Sequence, residues 1–202
     1  MASVGRRISR DMRARKLGHE GAIIWLTGLS GAGKSTLATR AEARLFDEGY
    51  STYILDGDDL RRGISADLGF SPEDRHENVR RAGEVAALLA DAGLVVLVAL
   101  ISPFAADRAA ARRVGGTSFR EVFVDASLGT CERRDPRGLY RRARAGEIPE
   151  FTGVSSPYEP PTAPDLVIDT EQLDEDAAVD RLVAFVAAHV PLAAGVPGGM
   201  TR

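Results

Sequence analysis

Short apolar runs alternate along this chain with longer stretches in which apolar residues recur every three or four positions. Residues 22–27, Ala-Ile-Ile-Trp-Leu-Thr, form the first run and stop at a glycine-rich turn. A continuous apolar run of that length predicts a strand covered on both faces. Residues 34–48 read as a helix, and Tyr53-Ile54-Leu55-Asp56 as a second short strand. From 73 to 92, Val79, Ala82, Val85, Ala86 and Leu89 repeat at helical spacing, and Gly93 supplies a stop. A strand over 94–100, a helix over 105–113, a strand over 120–125 and a short helix from 127 follow. Val167-Ile168 marks the last strand, and 174–190 the last helix.

Strands alternating with helices need crossover connections, so the expected fold is α/β, a parallel five-stranded sheet with helices on both faces. Residues 134–164 break the alternation. They are rich in Arg, Gly and Pro and read as a mobile lid. The expected organisation is a basic N-terminal arm at 1–20, one domain at 21–190 including the lid, and a disordered Ala/Gly/Pro tail at 191–202.

Composition narrows the function classes. The chain has 202 residues, 44% of them apolar and 27% charged, which suits one globular domain with a full core. A net charge of −3 argues against nucleic acid as a partner. The longest apolar run, Leu94 to Ile101, is strand-sized, so no membrane span is expected. Arg6, Arg7, Arg10, Arg13, Arg15 and Lys16 are not followed by an apolar stretch before Gly21, unlike a secretory signal. A single cysteine, Cys131, excludes an internal disulfide framework and fits a reducing, cytoplasmic setting.

The chemistry starts at Gly28-Leu29-Ser30-Gly31-Ala32-Gly33-Lys34-Ser35-Thr36. Gly28, Gly33, Lys34 and Ser35 match the P-loop spacing, between a strand and a helix, and make the fold a P-loop nucleoside-triphosphate hydrolase type. Backbone N–H groups of such a loop and the positive helix end cradle phosphates. Gly28, Ser30, Gly31, Ala32, Gly33, Lys34, Ser35 and Thr36 are therefore the expected ATP site. Lys34 would reach the β/γ-phosphates, and Ser35 would ligate Mg²⁺. Among the 26 basic residues counted as Lys or Arg, lysine occurs only at 16 and 34. A compact ammonium thus stands where a planar guanidinium would fit the loop badly.

The acceptor side is less determined. Asp58 follows the second strand and reads either as a group accepting the acceptor hydroxyl's proton or holding a magnesium-bound water, or as part of an acidic first helical turn. Ser71 before Pro72 reads as an N-cap with proline at N1. Arg75 and Asn78 then share a helix face and, with Arg61, suit a small anion. Glu77 and Arg81 read as a surface ion pair, and His76 as a solvated helix residue. Ser102 ends the central strand, as an acceptor contact or as the cap of helix 105–113.

With these residues in place, the chain resembles the adenylylsulfate kinase family from about Arg10 to about Val190. Residues 26–36, Leu55-Asp56-Gly57-Asp58, 67–75, Glu77-Asn78-Val79-Arg80-Arg81, Leu100-Ile101-Ser102-Pro103, 121–125, Gly138-Leu139-Tyr140, 143–148 and Phe151-Thr152-Gly153 carry the resemblance. It implies ATP-dependent phosphorylation of the 3′-hydroxyl of adenosine 5′-phosphosulfate (APS), giving PAPS and ADP, by direct in-line transfer. It also implies a homodimer. Lys34, Asp58 and Ser102 would be the catalytic group, with Ser35 and Asp58 at the metal. Asp58, Asp59, Arg61, Phe70, Arg75, Asn78, Ile101, Ser102, Arg137 and Phe151 would hold APS, and Phe70 and Phe151 would sandwich its adenine. Three positions depart from the family's habit: Asp59 for Asn, Arg137 for Lys, and Glu150 for a small or neutral residue. Added carboxylates near an anionic substrate raise two alternatives: a same-fold kinase for another acceptor, or a non-catalytic nucleotide-binding subunit.

Overall fold

A computed structural model describes residues 8–193. Five strands form one parallel sheet: β1 (Ala22–Thr27), β2 (Thr52–Asp56), β3 (Val95–Ala99), β4 (Phe119–Asp125) and β5 (Leu166–Asp169), in the order β2-β3-β1-β4-β5. The helices are α1 (Arg10–Leu17), α2 (Lys34–Asp47), α3 (Gly57–Arg62), α4 (Pro72–Asp91), α5 (Ala105–Gly115), α6 (Leu128–Arg134), α7 (Leu139–Arg144) and α8 (Glu175–His189). The expected α/β P-loop architecture is the one found. Strand and long-helix ends fall within about two residues of where the apolar pattern put them.

Successive side chains of a strand point to opposite faces, so the apolar run of β1 serves two layers. Ile24 and Leu26 join Val95, Leu97, Val122 and Val124 under α2 and α8. Ile23 and Trp25 join Val96, Val98 and Phe119 under α4 and α5. Each fully buried aliphatic side chain contributes about 1.5–3 kcal/mol, so these layers outweigh local propensity in holding the sheet. From β1 the chain goes first to β2 and β3 on one side and later to β4 and β5 on the other. The crevice beyond the C-terminal end of β1 is therefore a topological switch point.

The arm and the lid segment are both tied to the domain. The arm is folded from Ser9 onward: Ser9 caps α1, Gly18 ends it in a left-handed turn, and Arg10 donates to the Gly21 carbonyl (3.0 Å) and the Ser118 hydroxyl (2.6 Å). His19 is buried and accepts the Ser51 N–H through Nε2 at 2.9 Å. The lid segment is not all surface either. Tyr140, Ala143 and Phe151 belong to the core under α2 and α8, and Tyr140 meets Phe151 edge-on at 5.0 Å between ring centroids. Three apolar residues spread over twelve polar-rich positions escape any short periodicity window, yet they anchor the segment. Of the tail, Ala193 donates to the Gly18 carbonyl at 2.6 Å. Residues 1–7 and 194–202, including Arg6 and Arg7, lie outside the described part. No helix among the described residues is long and apolar enough to cross a membrane.

The sheet's entry tolerates no side chain at Gly21, where an added Cβ would lie 2.0 Å from the Ala90 carbonyl oxygen. Backbone cannot step aside, so Gly21→Ala is expected to lower stability by about 2–3 kcal/mol in urea denaturation. Gly129→Ala in α6, where the nearest neighbour would be the Arg133 Nη1 at 3.6 Å, is expected to match or exceed the parent by up to about 1 kcal/mol.

Candidate active site

A cleft of 970 Å³ opens at the switch point, within the size range of small-molecule sites. One wall is the loop after β1. Gly28 has φ 152°, and a Cβ there would come within 2.4 Å of the Val124 carbonyl oxygen. Only glycine lets the loop turn this tightly against β4. Gly33, at φ 102°, is the N-cap of α2 and offers no side-chain cap, which leaves the first helical N–H groups turned into the loop.

Lys34 is buried, and its Nζ donates to the carbonyls of Gly28 (3.0 Å) and Leu29 (2.8 Å). Burial lowers its pKa from 10.5 to about 8, against the opposing pull of Cys131, Asp56 and Asp58. Ser35 donates to Asp56 Oδ2 at 2.6 Å, and Asp56 Oδ1 accepts the Asp58 N–H at 2.9 Å. Asp56 ends β2 in register with Ala99 of β3, which puts its carboxylate beside the loop. Sequence reading passed over Asp56 in favour of Asp58. Its signal was its position, the last residue of an apolar strand at the crevice. A hydroxyl and a carboxylate 2.6 Å apart are hard oxygen donors of the kind magnesium takes one or two of, its other positions going to water and phosphate. Asp58 instead forms an ion pair with Arg137 of the lid. No group of three or more His, Cys, Asp or Glu with metal-binding geometry occurs among the described residues.

The loop's other residues are fixed by their carbonyls. Ser30 accepts the Tyr140 hydroxyl at 2.9 Å, and Ala32 accepts the Thr170 hydroxyl at 3.1 Å. Arg134 holds the Thr170 carbonyl at 2.6 Å. Ser30 to Thr36, Arg134 and Thr170 all line the cleft.

The opposite wall gathers Arg61, Phe70, Arg75, Asn78, Ile101, Ser102 and Phe151, all expected on the acceptor side, with Asp58 and Arg137 between the walls. Ser71 caps α4 by accepting the Asp74 N–H at 3.1 Å, with Pro72 in the first turn as expected. That cap fixes the start of the helix bearing Arg75 and Asn78. Arg61 lies over the Phe70 ring at 4.3 Å and donates to the Gly69 carbonyl at 2.6 Å. Arg75 donates to the Phe70 carbonyl at 2.8 Å and to Thr152 Oγ1 and the Glu150 carbonyl. Neither guanidinium has a carboxylate within ion-pair distance among the described residues. Burial lowers both pKa values, and the charge of Arg61 adds to the effect on Arg75. Asn78 Oδ1 is buried without a hydrogen-bond partner. Two guanidiniums without a carboxylate at ion-pair distance and one amide oxygen without a partner suit an anionic ligand with a hydrogen-bond donor.

Asp59 does not line the cleft. It pairs with Arg62 on the outer side of α3. Glu150 contributes its carbonyl rather than its carboxylate, from a left-handed backbone at φ 53°. Neither Asp59 nor Glu150 lines the cleft, though the charge of Glu150 acts on Arg75 in its wall. Ser102 is 2% exposed at φ 39°, a conformation that costs a non-glycine residue about 1–3 kcal/mol. Its Oγ accepts the Trp25 indole N–H at 3.1 Å, and Thr27 donates to the Ile101 carbonyl at 2.7 Å. Ser102 is not the cap of α5: Glu159 accepts the Ala105 N–H at 2.7 Å instead. Glu77 pairs with Arg81 at 2.8 Å as expected, and His76, expected to be solvated, also meets Asp107 at 2.6 Å.

Lysine burial gives a signed pH dependence. Between pH 8 and 10.5 the unfolded chain keeps a proton on Lys34 that the folded chain releases, so the stability cost of this lysine is relieved as pH rises. Unfolding free energy of the parent minus that of Lys34→Met is expected to rise by about 3 kcal/mol across this window, as measured by denaturant titration at stepped pH. A flat difference would contradict a buried, depressed lysine.

The chain is similar in sequence and structure to known proteins. The family model described as adenylylsulphate kinase matches residues 20–169. The adenylyl-sulfate kinase of Shewanella amazonensis is 57% identical over 180 residues, covering 89% of this chain and 91% of that protein. That of Clostridium acetobutylicum is 48% identical over 183 residues, covering 91% and 92%. The structure of the Mycobacterium tuberculosis APS kinase CysC in complex with AMPPNP and APS superposes with a TM-score of 0.80 at 51% identity, covering 83% of this chain and 98% of that one. A family model matching residues 20–169, and relatives at this identity over nearly their full length, mean that the chain belongs to the adenylylsulphate kinase family.

Proposed function

We infer that this protein transfers the γ-phosphoryl group of ATP to the 3′-hydroxyl of APS, yielding PAPS and ADP. One observation carries the reading: a single cleft has a P-loop on one wall and, on the other, two desolvated guanidiniums without carboxylate partners. Lys34 and the loop amides bind the donor's phosphates. Ser35 and Asp56 hold Mg²⁺, which when bound supplies positive charge to the phosphate oxygens. Arg61, Arg75 and Asn78 bind the phosphosulfate end of APS, and Phe70 and Phe151 bracket its base. Asp58 accepts the hydrogen bond of the 3′-hydroxyl and takes its proton as the new P–O bond forms and the bond to the ADP oxygen breaks. Arg137 orients Asp58 from the lid. Ser102, its hydroxyl oxygen accepting the Trp25 indole N–H, shapes the acceptor floor. The lid over both nucleotides limits hydrolysis. The family resemblance implies a homodimer, and one buried free cysteine is consistent with a cytoplasmic setting.

Mixing the protein with Mg-ATP and APS is expected to yield PAPS and ADP in equal amounts. ADP release only with another acceptor, or nucleotide binding without turnover, would refute the reading. Lys34→Ala is expected to lower kcat by about a thousandfold or more with an unchanged circular dichroism spectrum. The two aromatic residues separate binding from stability. Phe70, 60% exposed, is expected on Phe70→Ala to raise KM for APS about tenfold with stability unaltered. Phe151, 9% exposed, is expected on Phe151→Ala to raise KM and also to cost about 3 kcal/mol in urea denaturation.

A further inference from the structure

Arg108, on the first turn of α5, does not itself line the cleft, yet its guanidinium binds three separate pieces of chain. Nη1 donates to the Ser102 carbonyl at 2.8 Å, Nη2 to the Glu159 carbonyl at 2.7 Å, and Nε to Glu121 Oε1 of β4 at 2.8 Å. The side chain is almost fully buried, and Glu121 neutralises it. Of these contacts only the ion pair is needed to balance charge. The two carbonyl contacts instead join the turn after β3 to the segment by which the lid returns to the sheet.

Both joined pieces need such a tie. Ser102 holds a left-handed backbone that persists only where its surroundings over-determine it. Trp25 fixes its side chain, and Arg108 fixes its carbonyl. Glu159, on the lid's return, binds back to the same turn at two further points: its N–H donates to the Pro103 carbonyl at 2.9 Å, and its carboxylate caps Ala105. Next to it, the Tyr158 hydroxyl meets Thr27 Oγ1 at 3.1 Å, and Thr27 holds the Ile101 carbonyl. Phe151 and Thr152 lie upstream on the same lid segment.

We propose that Arg108 is a positioning residue for the acceptor: its forked donors hold the Ile101–Ser102 floor and the root of the lid at one fixed separation, so that Phe151 closes on a base seated against that floor. A planar guanidinium reaches two carbonyls and a carboxylate at once, and an ammonium on a flexible stem does not. The inference rests on the reading of this wall as the APS site.

The test uses two variants of the full chain. Arg108→Lys keeps the charge beside Glu121 and loses the fork. Arg108→Met with Glu121→Gln removes both charges, so no buried charge is left unpaired; Arg112 keeps Asp165 at 2.6 Å. Both are expected to raise KM for APS about tenfold or more and leave the KM for ATP within about twofold, since a misplacement of about 1 Å is enough for such losses. Hydrogen exchange is expected to quicken in Arg108→Lys over both 100–105 and 150–160, and not over α2. Parental KM for APS in either variant, or quickened exchange in only one of the two segments, would overturn the proposal. A parent that fails to convert APS at all would overturn the acceptor assignment instead, and the exchange data would still decide whether Arg108 couples the two segments.

Discussion

A lysine ammonium removed from water has to be surrounded by oxygen, and the loop between β1 and α2 is built around that requirement. Lys34 starts a helix, turns back, and is held by two carbonyls of the loop that precedes it. Those carbonyls point inward because Gly28 turns hard against β4 and Gly33 takes a left-handed conformation. The turn in turn needs β1 at the centre of the sheet, with Val124 of β4 directly beside it. A dry, central, all-parallel sheet and a hydrated-looking loop are thus one arrangement. The sheet provides the rigid rim, and the loop provides amides and a cation with a weakened hold on its proton, which a polyphosphate would strengthen again.

Much of this was legible in the order of residues. Continuous apolar runs locate all five strands, and the spacing of Gly28, Gly33, Lys34 and Ser35 locates the phosphate cradle without any coordinates. Ser71 and Pro72 announce the start of α4, and with it the shared face of Arg75 and Asn78. Other features were illegible for specific reasons. Asp56 and Asp58 are two apart in a run of acidic residues, and the strand end that marks Asp56 does not by itself say which carboxylate reaches Ser35. The lid's anchors, Tyr140 and Phe151, are eleven positions apart and meet only through the path of the intervening chain. Asp59 reads as a charge facing the substrate because sequence gives no direction to a side chain, and it pairs with Arg62 instead.

The two walls of the cleft are built differently. The P-loop wall is mostly backbone, made from one continuous stretch of chain. The wall opposite is mostly side chain, drawn from α3, the start of α4, the turn after β3 and the lid. A surface assembled from so many pieces has to be held in register by groups outside it. Trp25, Thr27 and Arg108 do this work from within the core, where they bond the carbonyls and hydroxyl of the strained turn at 101–102.

The short connection from Asp56 to Arg61 belongs to both walls. Asp56 faces the loop, Asp58 faces the lid, and Arg61 faces Phe70 on the opposite wall. It is a hinge in the evolutionary sense. Chain changes beyond it can alter which small molecule is recognised while the phosphate cradle behind it stays as it is. A lineage of such proteins can therefore diversify one half of its chemistry without re-solving the other, and the few residues of this seam set how far that divergence can go before donor and acceptor no longer meet.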